Sequence, residues 1–268
     1  SDLCMWGDSL MYVILCCGRV AAQMARIQKH QELRDLVDGW PLSPQEATSS
    51  DGDPEEGWQQ CNSCPGFVGP QYSLLACDLR ETAQLEEALI KVARLDPSLP
   101  TLFVSECVLV YLDPHEGDQL LKWTSDTFPD CGWVVYEQVN VDDPFGRTMV
   151  ENLNLRGAPL LGLERYSNQE QQHARFLDAG FSHCVSRTML WLCDRAENQQ
   201  PAGGQDASLR FLLSPEEWSG ARRLEWLDEV EEWRLIQGHY LLLTAVQGLQ
   251  CAQDPEAQWS WHHVLLHY

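Results

Sequence analysis

The chain has 268 residues, and at about 150 residues per domain this length predicts one large domain or two small ones. Hydrophobic residues make up 44% of it, and no apolar run approaches the ~20 residues of a membrane-spanning helix, so we expect no membrane segment. The 18 basic and 40 acidic side chains give a formal charge of −22. Because such a chain repels a phosphate backbone, nucleic acid is not an expected partner.

The 11 cysteines are scattered along the chain, and most of them lie in or beside apolar runs. An odd, scattered set is typical of free buried thiols rather than of a disulfide framework, which favours a reducing, cytoplasmic location. Cys61 and Cys64 form a C-x-x-C pair, but no second pair at matching spacing completes a zinc site. The pair also does not open a helix after a strand, as a redox motif would. We therefore predict no metal site.

The N-terminal part of the chain changes character twice. Apolar residues recur near a period of 3.6 over residues 19–37, which predicts a helix. Residues 41–70 are rich in Pro, Ser, Gly, Asp and Glu, and we expect a mobile loop because so little apolar surface cannot offset the ordering entropy.

From residue 71 onward, short apolar runs alternate with helical patterns. The strands predicted in this part are 72–77, 101–105 and 133–136, and the helices that follow them are 81–95, 114–128 and 145–155. Strands that are apolar throughout and separated by helices predict an α/β fold with a doubly wound, mostly parallel sheet. Beyond these we predict a helix at 170–179, a strand with or without an entering helix at 183–193, an acidic helix at 225–233 and a strand at 239–246.

Acidic residues stand at the carboxyl ends of the first three of these strands: Asp78, Glu106 and Glu137. Ligands of open parallel sheets bind at this edge, and carboxylates accept hydrogen bonds from ribose hydroxyls, an adenine amino group or an ammonium group. The pattern favours a nucleoside-type cofactor. The alternative is that these acids cap turns or helices. A glycine-rich turn of the G-x-G type, which usually accompanies such a cofactor site, is absent before Asp78.

Several motifs in the same order resemble the leucine carboxyl methyltransferase family. They include PTLFVSECVLVY at 100–111, YEQVN at 136–140, FLDAGF at 176–181 and LEWLDE at 224–229. The resemblance covers about residues 71–248, and the motifs together are far more specific than any one of them.

The resemblance implies a class I S-adenosylmethionine-dependent methyltransferase fold. It implies methyl transfer to the α-carboxylate of the C-terminal leucine of the type 2A protein phosphatase catalytic subunit, whose C-terminal tail would be the partner. By the same resemblance, Asp78 and Leu79 hold the adenine end of S-adenosylmethionine and Glu106 also contacts this cofactor. Tyr111 is carried over as the catalytic residue on the side of the substrate carboxylate.

The resemblance fails at the N-terminus, where the glycine-rich turn and the acidic strand end of the family have no match. We therefore expect an altered or truncated remnant at 1–40, a loop at 41–70, a methyltransferase domain at 71–248 and a tail at 249–268, in a monomer whose activity is impaired. Two other functions stay open: a carboxyl methyltransferase of tRNA wybutosine synthesis, and an inactive domain that only binds protein. The charge of −22 weighs against a tRNA substrate.

Overall fold

The computed structural model describes residues 12–15, 29, 59–60, 66–68, 72–197, 219–220, 223–224 and 228–248. The chain divides into two compact units, Ser1–Asp96 and Pro97–Tyr268. The predicted domain limits at 40, 70 and 248 stay predictions. The predicted helix 19–37 (apart from Lys29, which is helical), the Cys61 and Cys64 pair and the predicted tail 249–268 lie outside the described residues.

The first unit contains a four-stranded sheet. Its strands are β1 (Tyr12–Leu15), β2 (Gln59–Gln60), β3 (Gly66–Val68) and β4 (Tyr72–Leu75), in the spatial order β1-β4-β3-β2. Strand β4 runs parallel to β1 and antiparallel to β3, which pairs antiparallel with β2.

The prediction of a loop over 41–70 was wrong where β2 and β3 form. Its composition argument rested on the polar residues that precede β2. Phe67 and Val68, in contrast, are good strand formers.

Helix α1 (Thr82–Glu86) follows β4 and continues as a π-helical segment, Glu87–Val92. Leu85, Ala88 and Leu89 are buried along its length. The helix predicted at 81–95 is thus confirmed, but it ends earlier because Arg94 adopts a left-handed backbone conformation with φ of 57°.

The second unit contains the other four-stranded sheet. Its strands are β5 (Thr101–Glu106), β6 (Cys131–Gln138), β7 (His183–Thr188) and β8 (Tyr240–Gln247), in the order β5-β6-β8-β7. Its helices are α2 (Pro114–Thr127), α3 (Pro144–Leu155), α4 (Gln169–Asp178), α5 (Met189–Glu197) and α6 (Val230–Gln237), with 3₁₀ turns at Leu109–Tyr111 and Leu161–Glu164. Strand β5, helix α2 and strand β6 form the predicted parallel crossover.

The α/β class is confirmed, but the described sheets are mixed rather than mostly parallel. Among the described pairings, β1–β4 and β5–β6 are parallel, whereas β2–β3, β3–β4, β6–β8 and β7–β8 are antiparallel. The alternation of strands and helices correctly indicated the direction of β6. It carried no information on β8, which comes from far along the chain and enters the sheet between β6 and β7. The alternative left open at 183–193 resolves as a strand followed by a helix.

An aromatic cluster holds α2 and α4 on the sheet. Phe103 stacks on Trp133 with ring centroids 5.0 Å apart and meets Phe128 edge-on at 5.2 Å. Trp133 meets Phe176 of α4 at 6.2 Å, and its indole N–H donates to Thr124 Oγ1 at 3.1 Å. The position of α2 matters because its first residue follows the turn that carries Tyr111.

The start of α2 is fixed by a capping box. Asp113 Oδ1 accepts a hydrogen bond from His115 N at 2.9 Å, and Glu116 Oε2 accepts one from Asp113 N at 3.2 Å. Pro114 occupies the first turn, where its missing N–H costs nothing. The chain that enters α2 therefore has a defined direction.

A buried arginine links α2 to α4. The Arg175 side chain is 1% exposed, and its Nε donates to Asp118 Oδ1 at 2.9 Å. Asp118 Oδ2 accepts a hydrogen bond from the Tyr166 hydroxyl at 2.7 Å, and the Arg175 guanidinium lies 4.3 Å from the centroid of the Tyr166 ring. A buried cation needs such a carboxylate because desolvation penalises any charge left alone.

We expect Asp118→Ala to lower the free energy of unfolding by about 3 kcal/mol, since it leaves a buried guanidinium without its counter-charge. Urea denaturation followed by circular dichroism measures this loss. The matched control is Asp126→Ala, which breaks an exposed i,i+4 pair with Lys122 on the same helix and should cost less than about 0.5 kcal/mol. Equal losses in the two variants would contradict the role of the buried pair.

Candidate functional site

Glu106 lies where the sequence placed it, at the carboxyl end of a parallel strand pair. It is the last residue of β5 and pairs in register with Tyr136 of β6. Its side chain is exposed. A carboxylate at this edge of the sheet is accessible to a ligand from solvent, as the prediction required.

The backbone leaves the sheet directly after Glu106 in a strained conformation. Cys107 has φ of 50°, in the left-handed region that a residue with a Cβ rarely adopts. Its N–H donates to the Tyr136 carbonyl at 2.8 Å, which still anchors it to β6. Such a conformation persists only where the surrounding contacts hold it.

Glu137 supplies part of that restraint. Its Oε1 accepts hydrogen bonds from the backbone N–H groups of Val108 at 3.0 Å and Leu109 at 2.8 Å. The side chain is 0% exposed, and burial raises the pKa of its carboxyl to about 7, although these N–H donors and the Arg175 charge oppose the increase. Glu137 therefore caps a turn of the backbone, which is the alternative to ligand binding that the sequence left open for the three acids.

Tyr111 is the last residue of the 3₁₀ turn Leu109–Tyr111. Its N–H donates to the Val108 carbonyl at 3.1 Å, and the side chains of Leu109 and Val110, each 1% exposed, anchor the turn in the core. The Tyr111 side chain is 38% exposed. The second unit thus brings Glu106 and Tyr111 to the two ends of one short, firmly held segment.

A stacked tyrosine pair beside this segment was missed at the sequence level. Tyr136 and Tyr240 stack with ring centroids 5.0 Å apart and an interplanar angle of 12°. Burial is the main cause that raises the pKa of Tyr136 to about 12, followed by the nearby Tyr240, Cys107 and Glu106. Nothing in the local sequence pairs these residues, because their contact depends on β8 lying against β6.

In the first unit, Asp78 is engaged by a residue of its own turn. Arg80 donates to both Asp78 carboxylate oxygens, with its Nε 2.9 Å from Oδ1 and its terminal nitrogen 2.6 Å from Oδ2. These hydrogen bonds lower the pKa of Asp78. The Asp78 N–H donates to Gln84 Oε1 at 3.0 Å, and Leu79 is half-buried next to it.

Two negative findings apply to the described residues alone. No group of three or more His, Cys, Asp or Glu side chains within them could hold a metal ion. No helix in the same residues is long and apolar enough to cross a bilayer.

Comparison with known proteins tests the family resemblance that the sequence motifs suggest. Residues 43–125 match the model of the leucine carboxyl methyltransferase family, and this segment contains all four predicted site residues. The chain is 35% identical over 179 residues to the leucine carboxyl methyltransferase 1 homolog of Arabidopsis thaliana and 35% identical over 178 residues to leucine carboxyl methyltransferase 1 of Bos taurus. The resemblance to the leucine carboxyl methyltransferase family is confirmed.

Each match covers only part of the relative's own length. They take up 67% and 66% of this chain but only 49% of the Arabidopsis protein and 48% of the bovine protein. Human tRNA wybutosine-synthesizing protein 4 is 36% identical over 184 residues, which are 68% of this chain and 24% of that protein. The chain thus spans about a quarter to a half of the length of these relatives.

Solved structures resemble the chain weakly. Phosphoethanolamine N-methyltransferase 2 of Haemonchus contortus is 13% identical, with coverage of 66% of this chain and 37% of that chain and a TM-score of 0.36. Mycolic acid cyclopropane synthase is 12% identical, with coverage of 90% and 79% and a TM-score of 0.37. Likenesses at this level do not identify the fold, which rests on the strand order and the helices described above.

The burial of Glu137 predicts a pH-dependent contribution to stability. Its pKa rises from 4.5 to about 7 on folding, so the folded state favours the protonated form. The stabilisation is complete below about pH 4.5 and disappears as the pH rises through about 7. Relative to Glu137→Gln, which does not titrate, the wild type should lose up to about 3 kcal/mol over this window.

Urea denaturation of both proteins at about pH 5 and about pH 8 measures the difference. Glu151→Gln, which neutralises an exposed carboxylate on α3, is the control for the overall change in charge. A constant difference between wild type and Glu137→Gln across this range would show that the carboxyl titrates normally.

Proposed function

We propose that this chain is an S-adenosylmethionine-dependent methyltransferase that forms a methyl ester on the C-terminal leucine α-carboxylate of the type 2A protein phosphatase catalytic subunit. The observation that carries the proposal is the family match over residues 43–125, because it includes Asp78, Leu79, Glu106 and Tyr111. The exposed positions of Glu106 and Tyr111 at the carboxyl edge of β5 support it independently.

The residues of each unit have the chemistry that such a cofactor needs. Glu106 and Asp78 offer carboxylates to hydroxyl, amino and ammonium donors, and Leu79 offers an apolar side chain to a purine ring. S-adenosylmethionine would supply a sulfonium-bound methyl group, whose carbon–sulfur bond breaks with both electrons going to sulfur as the new carbon–oxygen bond forms. The acidic surface of the chain suits a co-substrate with a positive sulfonium.

Asp78 would have to exchange partners to bind a ligand. Its carboxylate already accepts hydrogen bonds from Arg80, whose side chain is 56% exposed. Exposed ion pairs of this kind contribute at most about 1 kcal/mol, so Arg80 would yield to a ligand at little cost.

The substrate side needs positioning rather than a base. A peptide α-carboxyl group has a pKa of about 3.5, so it is ionised at neutral pH and is itself the nucleophile. The chain then has to hold one carboxylate oxygen in line with the methyl group and exclude water. The Tyr111 hydroxyl can donate a hydrogen bond to the other oxygen and so fix the orientation of the carboxylate.

The alternatives differ in their partner. The identity to human tRNA wybutosine-synthesizing protein 4 is 36% and that to bovine leucine carboxyl methyltransferase 1 is 35%, so identity alone does not separate the two substrates. The charge of −22 favours a protein substrate over tRNA. An inactive, protein-binding domain would bind the phosphatase tail without S-adenosylmethionine. Within this proposal, the protein is a cytoplasmic monomer.

Calorimetric titration of the folded chain with S-adenosylmethionine tests the proposal, and we expect saturable binding. Glu106→Ala should weaken the affinity roughly tenfold or more, because a hydrogen bond to a charged group is lost. Glu164→Ala, which removes another exposed carboxylate of the same unit, should leave the affinity unchanged. No binding by a folded wild-type chain would overturn the function, and an unchanged affinity of Glu106→Ala would remove Glu106 from the site.

Transfer of a labelled methyl group separates the substrates. A peptide ending in the phosphatase tail sequence should accept the label as an ester that mild alkali releases, and its C-terminally amidated form should not. Labelling of tRNA instead would support the wybutosine alternative, and binding of the cofactor without any transfer would leave the protein-binding alternative.

A further inference from the structure

One buried carboxylate connects the carboxyl ends of the two parallel strands of the second unit. Glu137 lies in β6, one residue before its end, and its Oε1 receives the N–H groups of Val108 and Leu109 from the segment that follows β5. These are the first two residues after the left-handed Cys107. Glu106 precedes this pair of hydrogen bonds and Tyr111 follows it within the same short segment.

Maintaining this contact is energetically costly. Glu137 is fully buried, and its second oxygen, Oε2, is buried without a hydrogen-bond partner. A buried polar atom left unsatisfied costs free energy that an apolar side chain would not. A residue chosen for stability alone would not carry this cost, whereas a residue chosen to hold a defined backbone geometry can.

The hydrogen bonds to Glu137 restrain the backbone both at the end of β5 and at the start of the turn that precedes α2. On the side of the strand, two hydrogen bonds restrain the left-handed Cys107: its own N–H donates to the Tyr136 carbonyl, and the N–H of the next residue, Val108, donates to Glu137. These restraints fix the position of Glu106 at the end of β5. Toward the helix, the hydrogen bond to Leu109 holds the first residue of the turn whose last residue is Tyr111.

We propose that Glu137 is a positioning residue that fixes Glu106 for the cofactor and Tyr111 for the substrate carboxylate by holding the backbone between them. This inference rests on the proposed function and deepens it, because it assigns a role to a residue that would touch neither ligand. A displacement of about 1 Å at such a site costs on the order of a hundredfold in rate, so loss of the contact should be visible in catalysis.

Two substitutions separate the contact from the charge. Glu137→Gln keeps an oxygen that accepts both N–H groups, whereas Glu137→Ala removes the acceptor. The control for general destabilisation is Ser125→Ala, which deletes a 2.6 Å hydrogen bond to the Ala179 carbonyl. Ser125 is near the opposite end of β6, because its carbonyl accepts from Gln247, the register partner of Cys131.

The experiment measures S-adenosylmethionine affinity by calorimetry, kcat and KM for the tail peptide, and amide exchange at Val108 and Leu109 by NMR. We expect Glu137→Ala to lower the affinity or kcat/KM roughly ten- to a hundredfold and to speed exchange at both amides. Glu137→Gln should restore values within about threefold of wild type, and Ser125→Ala should match wild type in affinity and in exchange at Val108 and Leu109.

The outcomes separate the inference from the function on which it rests. If the folded wild type binds no S-adenosylmethionine, the proposed function fails and the positioning role fails with it. If the wild type binds and Glu137→Ala retains its affinity and kcat/KM, only the positioning role is overturned. The role is also overturned if Ser125→Ala loses as much as Glu137→Ala at equal stability, or if Glu137→Gln does not rescue.

Discussion

The hydrogen bonds from Val108 and Leu109 to the Glu137 carboxylate determine how the chain leaves the sheet at the edge where a ligand would bind. Without them, the buried N–H of Leu109 and the half-buried N–H of Val108 would lack these partners, and the left-handed conformation of Cys107 would lose one of its restraints. The capping box of Asp113 and Glu116 then defines the next step of the chain into α2. The segment that carries Glu106 and Tyr111 is therefore held at both ends.

Two ion pairs of acidic side chains in this chain differ in their burial and therefore in their energetic contribution. Asp118 neutralises Arg175 between α2 and α4, and loss of this carboxylate would leave the buried guanidinium without its hydrogen-bonded counter-charge. The pair of Asp78 and Arg80 is exposed, so water screens it, and under the proposed function a ligand would replace Arg80. The first pair contributes to the stability of the fold, whereas the second would leave a carboxylate that a ligand could reach.

The sequence predicted several elements of the second unit closely because their apolar runs and caps are local signals. The strand ending at Glu106, the helix beginning at Pro114 and the helix ending before Gly180 were all found within a residue or two. The antiparallel entry of β8 was not predictable, because strand direction depends on contacts between distant parts of the chain. The stacking of Tyr136 on Tyr240 was missed for the same reason.

The candidate site was predicted in part. Family motifs suggested Asp78, Leu79, Glu106 and Tyr111 as site residues, and the structure places the last two at the ends of one short segment. The pattern of acids at strand ends grouped Glu137 with Glu106, yet the Glu137 side chain is buried and the Glu106 side chain is exposed to solvent. Strand β6 continues to Gln138, beyond the predicted end at 136, so Glu137 lies inside the strand and is buried. Strand β5 ends at Glu106, whose side chain is exposed. Burial, which no local pattern revealed, separates a structural carboxylate from one that can bind a ligand.

Hydrogen–deuterium exchange of the wild-type chain with and without saturating S-adenosylmethionine tests most directly whether the segment held by Glu137 is a ligand-binding element. The account predicts slower exchange of the amides over residues 106–111 in the presence of the cofactor, with exchange in α4 unchanged as the internal reference. Saturation demonstrated by calorimetry together with unchanged exchange over 106–111 would contradict it.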